Sequence, residues 1–174
     1  MLARIVQRPI LVKRDSDQHV DDMSCAIQSG QEGFLTSQLS NIQVFSDGAA
    51  RGNPGPAAIA YAIYNESGEC IDSDARSIGR ATNNEAEYLA LLLAMERACA
   101  HSKDTARFFL DSELVVRQVN GQYRAKDERM RDYLQKVLSR MKCFREVHVV
   151  RVPRENARTQ LVDNMVNEVL DRTG

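Results

Sequence analysis

The chain reads as an α/β protein: a mixed five-stranded sheet, made of a three-stranded antiparallel meander plus two parallel strands, flanked by helices. Two observations predict this. Residues 41–78 hold three short runs rich in β-branched, aromatic and small apolar residues, separated by brief turns, and after them helical and strand-like patterns alternate. A hydrophobic share of 43% with 27% charged residues suits one ordinary globular core.

Residues 1–40 read as an extension, expected to be flexible and dispensable for chemistry, and residues 41–174 as the folded domain. Leu2 to Val12 could make one strand, but Asp15 to Asp22 is polar and acidic, and Ser29 to Ser40 is rich in Gly, Ser and Gln. A metal site from Asp15, Asp17, His19, Asp21 and Asp22 is conceivable; nothing fixes its geometry, and a solvated run is the simpler reading.

Asn41 to Phe45 and Ala57 to Tyr64 read as the first two strands. Between them, Asp47 to Pro56 (DGAARGNPGP) carries three glycines and two prolines, which predicts a tightly turned connection. Asp47 then falls where strand gives way to turn, with Gly48 beside it allowing a ligand close to the backbone. A plain hairpin explains the same residues. Asn65 to Gly68 is a turn, and Glu69 to Ile78 the third strand.

Ala81 to Ala100 is the strongest helix, rich in Ala, Leu, Glu and Met. Thr82 with Glu85 three residues on fits a capping box, which gives Glu85 a structural task. Glu87 lies about 200° around the helix from Glu85 and shares a stripe with Ala90, Leu91, Ala94 and Ala98. Small residues let that stripe approach a sheet, so Glu87 is carried inward toward the strand bearing Asp47.

Thr105 to Leu110 is the fourth strand, ending at Asp111, and Ser112 to Gly121 a short helix. Asp111 has two readings: an N-cap, or a ligand-binding group at a strand's carboxyl end. Lys126 to Cys143 is an amphipathic helix with Met130, Leu134, Val137, Leu138 and Met141 on its apolar side. Glu146 to Val152 is the fifth strand, ended by Pro153, and Leu161 to Asp171 a terminal helix.

The net charge of −1 argues against a protein that coats nucleic acid indiscriminately. From Val115 to Arg145, however, nine Lys or Arg face three acids. That excess is able to hold a phosphate backbone, and it equally describes a solvated helical face. No C-x-x-C pair or zinc-like histidine spacing occurs, so the four cysteines are expected to be buried free thiols. No apolar run approaches the eighteen or so residues of a membrane helix, and a cytoplasmic protein is expected.

The string DGAARGNPGP, followed by ATNNEAEYLAL (Ala81 to Leu91), FFLDSELVV (Phe108 to Val116) and a late Asp163, resembles the type I ribonuclease H family over roughly Asn41 to Asp171. The resemblance implies the fold predicted above and an acidic quartet of Asp47, Glu87, Asp111 and Asp163 that is both catalytic and metal-binding. It implies an endonuclease dependent on two Mg²⁺ or Mn²⁺ ions. Such an enzyme cuts the RNA strand of an RNA-DNA hybrid and leaves 3′-hydroxyl and 5′-phosphate ends. Asp47 would bridge both metals, with Glu87 and Asp111 on one and Asp163 on the other. The substrate contacts it implies are Gly48, Asn83 and Asn84, with Asn53 and Thr82 at the phosphate-contacting positions.

The chemistry agrees with the residue types. Unit charges of like sign 4 Å apart repel by about 4 kcal/mol at an effective dielectric near 20, so clustered acids demand cations or protons. Hard divalent cations take oxygen ligands and need no histidine or cysteine. The chain also departs from the family pattern. Thr159 stands where many members have Asn, four residues before the last acid, and Val162 where they have Ala. No histidine lies between Val152 and Asp163, where Arg154, Glu155, Asn156 and Arg158 are the polar residues; and without any Trp the chain lacks a Trp-rich basic insertion. Two rivals stay open: a non-catalytic nucleic-acid-binding relative, and a DNA-directed nuclease of the same superfold.

Overall fold

A computed structural model describes residues 41–173. The expected extension over residues 1–40, with its strand, its acidic run and Cys25, lies outside the described residues.

Strands β1 (Asn41–Ala50), β2 (Gly55–Tyr64) and β3 (Cys70–Ala81) form the antiparallel meander. Helix α1 (Asn83–His101) follows, then β4 (Thr105–Leu110), α2 (Glu113–Val119), α3 (Glu128–Met141), β5 (Glu146–Arg151) and α4 (Ala157–Thr173). The sheet order is β3-β2-β1-β4-β5, with β4 parallel to both β1 and β5. The predicted mixed five-stranded sheet is what the chain forms.

The sheet divides the core in two. On one face Val44, Tyr61, Ile63 and Phe108 pack against Tyr88, Leu91, Met95 and Ala98 of α1 and Val137 and Met141 of α3. On the other, Phe45, Ala58, Ala60, Ala62 and Tyr64 meet Val162, Val166 and Leu170 of α4. Alternation along β1 sends successive side chains to opposite layers, which is how one strand serves both.

Three expectations need correction. Strand β1 runs through Asp47 to Ala50, and only Arg51 to Pro54 turn, closed by Arg51 N–H donating to the Pro56 carbonyl at 2.8 Å. Gly48 is therefore no turn residue. A Cβ built on it would stand 2.2 Å from the Ala86 carbonyl oxygen, so its bare backbone is what lets α1 lie against β1. Next, α4 begins at Ala157 and not Leu161, because the Asn156 side-chain oxygen accepts from the amides of Arg158 (3.0 Å) and Thr159 (3.3 Å). Finally, Cys99 of α1 and Cys143 after α3 are joined in a disulfide, Cα atoms 6.2 Å apart, and Cys70 is free but exposed. The 44-residue separation conceals from the sequence that the two helix ends abut.

Candidate active site

The parallel strands β1, β4 and β5 end on one rim of the sheet. Phe45 pairs with Phe109, and Phe109 with Val150; two residues beyond the first couple stand Asp47 and Asp111. Val152 N–H donates to the Leu110 carbonyl at 2.8 Å and carries the β5 chain past its last strand residue to Pro153 and Arg154. Two acids and an arginine thus reach the same rim from three neighbouring strands.

Asp47 is buried, and its carboxyl is pushed up to about 7 by that burial, with the charges of Asp111 and Asp163 adding to it. The Gly48 amide and Arg154 act in the opposite direction. Asp163, on α4, accepts from the Asn167 side chain at 3.1 Å.

The two glutamates of α1 separate as expected. Thr82 caps the helix, and Glu85 Oε2 accepts from the Thr82 amide and hydroxyl, both at 2.8 Å, while Oε1 accepts from Arg129 at 3.1 Å. The bonds from Thr82 hold the Glu85 carboxyl below its ordinary value. Glu87 points the other way. Its Oε1 accepts from Asn83 Nδ2 at 3.1 Å and its Oε2 from Ser112 Oγ at 2.6 Å. Burial pushes Glu87 up, the Ser112 bond opposes this, and Asp111 adds to the rise.

Ser112 has no place in the sequence reading and two tasks in the structure. As the N-cap of α2 it accepts from the Val115 amide at 3.4 Å, and it ties Glu87 to the end of β4. The N-cap reading of Asp111 is thereby overturned, leaving its carboxylate for Arg154, whose Nε donates to Oδ2 at 3.0 Å. The loop cation is the second added member, which the sequence offers only as one of four polar residues in that loop. Among the described residues, no three acidic, histidine or cysteine side chains converge closely enough to cage an ion as they stand.

The expected substrate residues surround the start of α1. Asn83 Oδ1 accepts from the Ala50 amide at 3.3 Å, and Asn53 Oδ1 accepts from the Asn83 amide at 3.2 Å, so the β1–β2 turn is stapled to the helix start. Asn53, Asn83 and Asn84 are exposed, Thr82 is partly so, and Gly48 is buried. The basic run is less open than its composition suggests. Arg117, Arg129, Arg140 and Arg145 pair with Glu113, Glu85, Glu96 and Asp104, acids that all lie outside that run.

A family model described as reverse transcriptase-like matches residues 45–168. A ribonuclease HI of Halobacterium salinarum is 33% identical over 150 residues, covering 83% of this chain and 74% of that protein. The chain belongs to the ribonuclease HI family. Members of the ribonuclease HI family are endonucleases, and this chain is an enzyme of that kind. The crystal structure of the Halobacterium salinarum RNase H1 superposes with a TM-score of 0.72 at 34% identity, covering 76% of this chain and 98% of that one. A structure of LC11-RNase H1 in complex with an RNA/DNA hybrid gives 0.69 at 36% identity, covering 76% and 98%. The bifunctional protein Rv2228c of Mycobacterium tuberculosis is 30% identical over 131 residues, and the match spans 35% of its length.

Proposed function

We propose that this protein hydrolyses the RNA strand of RNA-DNA hybrids, using Asp47, Glu87, Asp111 and Asp163 to hold two divalent cations, Mg²⁺ or Mn²⁺, and leaving 3′-hydroxyl and 5′-phosphate ends. The observation that carries this reading is Asp47: a buried carboxyl under the charges of two further acids, on a sheet rim open to the β1–β2 turn. A buried acid repelled by its neighbours is short of positive charge, and the donors around it are carboxylate oxygens. That set fits a hard divalent cation.

Bound there, such ions supply an activated water and cover for charge on the leaving oxygen. The chain's own residues do the rest. Ser112 and Asn83 orient Glu87, and the close approach of α1 over Gly48 sets its distance from β1. Backbone at Gly48 and the side-chain amides of Asn83 and Asn84 would meet the substrate in its shallow groove, where the RNA 2′-hydroxyl is sensed, while Asn53 and Thr82 would take the phosphates of the DNA strand. The relative captured on an RNA/DNA hybrid supports this substrate class. No helix among the described residues is long and apolar enough to cross a membrane.

The test is cleavage of end-labelled RNA-DNA, RNA-RNA and DNA-DNA duplexes with Mg²⁺ and with EDTA. Mg²⁺-dependent cutting of the RNA strand in the hybrid is expected, at least about tenfold faster than in the other duplexes, a margin worth about 1.4 kcal/mol. Equal cutting of DNA-DNA would favour the DNA-directed alternative, and no cutting would favour a binding protein.

A further inference from the structure

Arg154 lies where the sheet rim collects negative charge, and what it does there follows from its partners. Its Nε donates to Asp111 Oδ2 at 3.0 Å. Its charge also offsets that of Asp47 and Glu87, and it feels Asp163 in turn. One guanidinium is therefore shared electrostatically by all four acids while bonded to one. It comes from the loop after β5, whose start is tied to the sheet by the bond from the Val152 amide to the Leu110 carbonyl and which turns through the bond from the Asn156 amide to the Pro153 carbonyl. The two members of the pair differ in setting: the Arg154 side chain is 70% exposed and that of Asp111 17%. The arginine is at the mouth and the acid inside.

We infer that Arg154 is a resident counter-ion, which neutralises the acidic cluster of the metal-free protein through Asp111 and must release that carboxylate before a divalent cation can be held. The inference rests on the proposed function, since it presumes that these acids take metal, and it deepens that reading by naming what competes for the site. Arg154 is on this account a positioning residue. An exposed guanidinium regains hydration when it swings out, so the pair is worth little net stability and opens readily. The exchange is also favourable in charge, because a divalent ion brings two positive charges where the arginine brings one. What remains is a competition that weakens first-ion affinity by a modest factor. In return, the metal-free protein is spared an uncompensated carboxylate cluster.

The experiment uses the full chain without substrate. Mn²⁺ binding is measured by isothermal titration calorimetry, and by free-ion electron paramagnetic resonance, for wild type, Arg154→Ala and Arg154→Lys. Arg154→Ala should bind the first Mn²⁺ about three- to tenfold more tightly than wild type, the range expected for losing an exposed ion pair worth about 1 kcal/mol. Arg154→Lys, keeping a positive charge, should stay near wild type. Melting temperatures at pH 8 should show the reciprocal pattern: Arg154→Ala below wild type in EDTA, with the gap closing in saturating Mn²⁺. A purely structural arginine would leave the gap unchanged by metal. In wild type alone, the Arg154 Nε–H resonance should shift and exchange faster with water as diamagnetic Mg²⁺ is titrated into metal-free protein, because its bond to Asp111 is released. Unchanged or weaker Mn²⁺ binding by Arg154→Ala would overturn the inference while leaving the nuclease reading intact. Failure of wild type and both variants to bind Mn²⁺ at all would overturn both.

Discussion

Asp47 holds its proton to about pH 7, against 3.8 for an ordinary aspartate, because burial and then the charges of Asp111 and Asp163 disfavour its ionised form. The sign of its linkage follows. The stability this group contributes is fully present below the unfolded value near 4 and is lost as pH rises through 7. Metal-free protein should therefore be less stable at pH 8 than at pH 5 on this account, and Asp47→Asn should remove the penalty. With each pKa unit worth about 1.4 kcal/mol, the variant in EDTA should be more stable by roughly 2 to 4 kcal/mol at pH 8 and by about nothing at pH 4. Urea unfolding at the two pH values measures this. A difference independent of pH would show that the carboxyl is not held as described. Divalent cations should shrink the pH 8 difference by stabilising wild type, since positive charge offsets the excess negative charge of the clustered carboxylates.

Among the elements, α1 is the one whose placement matters most to the site, and Gly48 is what places it. An added methyl at Gly48 would stand 2.2 Å from the Ala86 carbonyl oxygen and 2.9 Å from the Glu87 amide, both backbone atoms that cannot turn aside. Gly48→Ala must push helix from strand, at a cost of about 3 kcal/mol or more. A lowered urea midpoint is expected, and a midpoint equal to wild type would contradict the packing described. This residue also marks how far sequence reasoning reached. A glycine beside alanines, two more glycines and two prolines reads locally as a turn, yet the turn occupies only Arg51 to Pro54. Gly48 answers to a helix some forty residues further on, and local propensity carries no trace of that. Strand β4, by contrast, was legible residue for residue from TARFFL, because a half-dozen apolar and β-branched residues between polar breakers has few other uses. The capping box at Thr82 and Glu85 was legible for a similar reason: its chemistry is confined to four adjacent residues.

At the scale of the molecule, the sheet order sets where chemistry can occur. Only because β1 lies between β2 and β4 do a hairpin acid and a crossover acid reach one rim, and only because β5 is parallel to β4 does a loop arginine reach it too. The alternation of strand and helix patterns was enough to read this architecture, and Asp47, Glu87 and Asp111 stood out as candidates from their motifs, whereas Asp163 follows a loop and helix start that depart from the family pattern. Ser112 and Arg154 did not stand out. Each matters through a partner in space, Ser112 with a glutamate 25 residues back and Arg154 with an aspartate 43 residues back, and such pairings appear only once the chain is folded. The same holds for Cys99 and Cys143, where helix packing and not spacing brings the thiols together.

Acids from β1, α1, the end of β4 and α4 are proposed to act as one site. The most direct measurement of this is the rate at which Asp47→Asn cleaves a labelled RNA-DNA hybrid in Mg²⁺, beside a circular dichroism spectrum and melting curve of the same sample. A native spectrum, undiminished thermal stability and a rate reduced by at least about a thousandfold are expected, the order that follows when roughly 4 kcal/mol of transition-state stabilisation is lost. A folded variant that cuts at the wild-type rate would contradict the shared site.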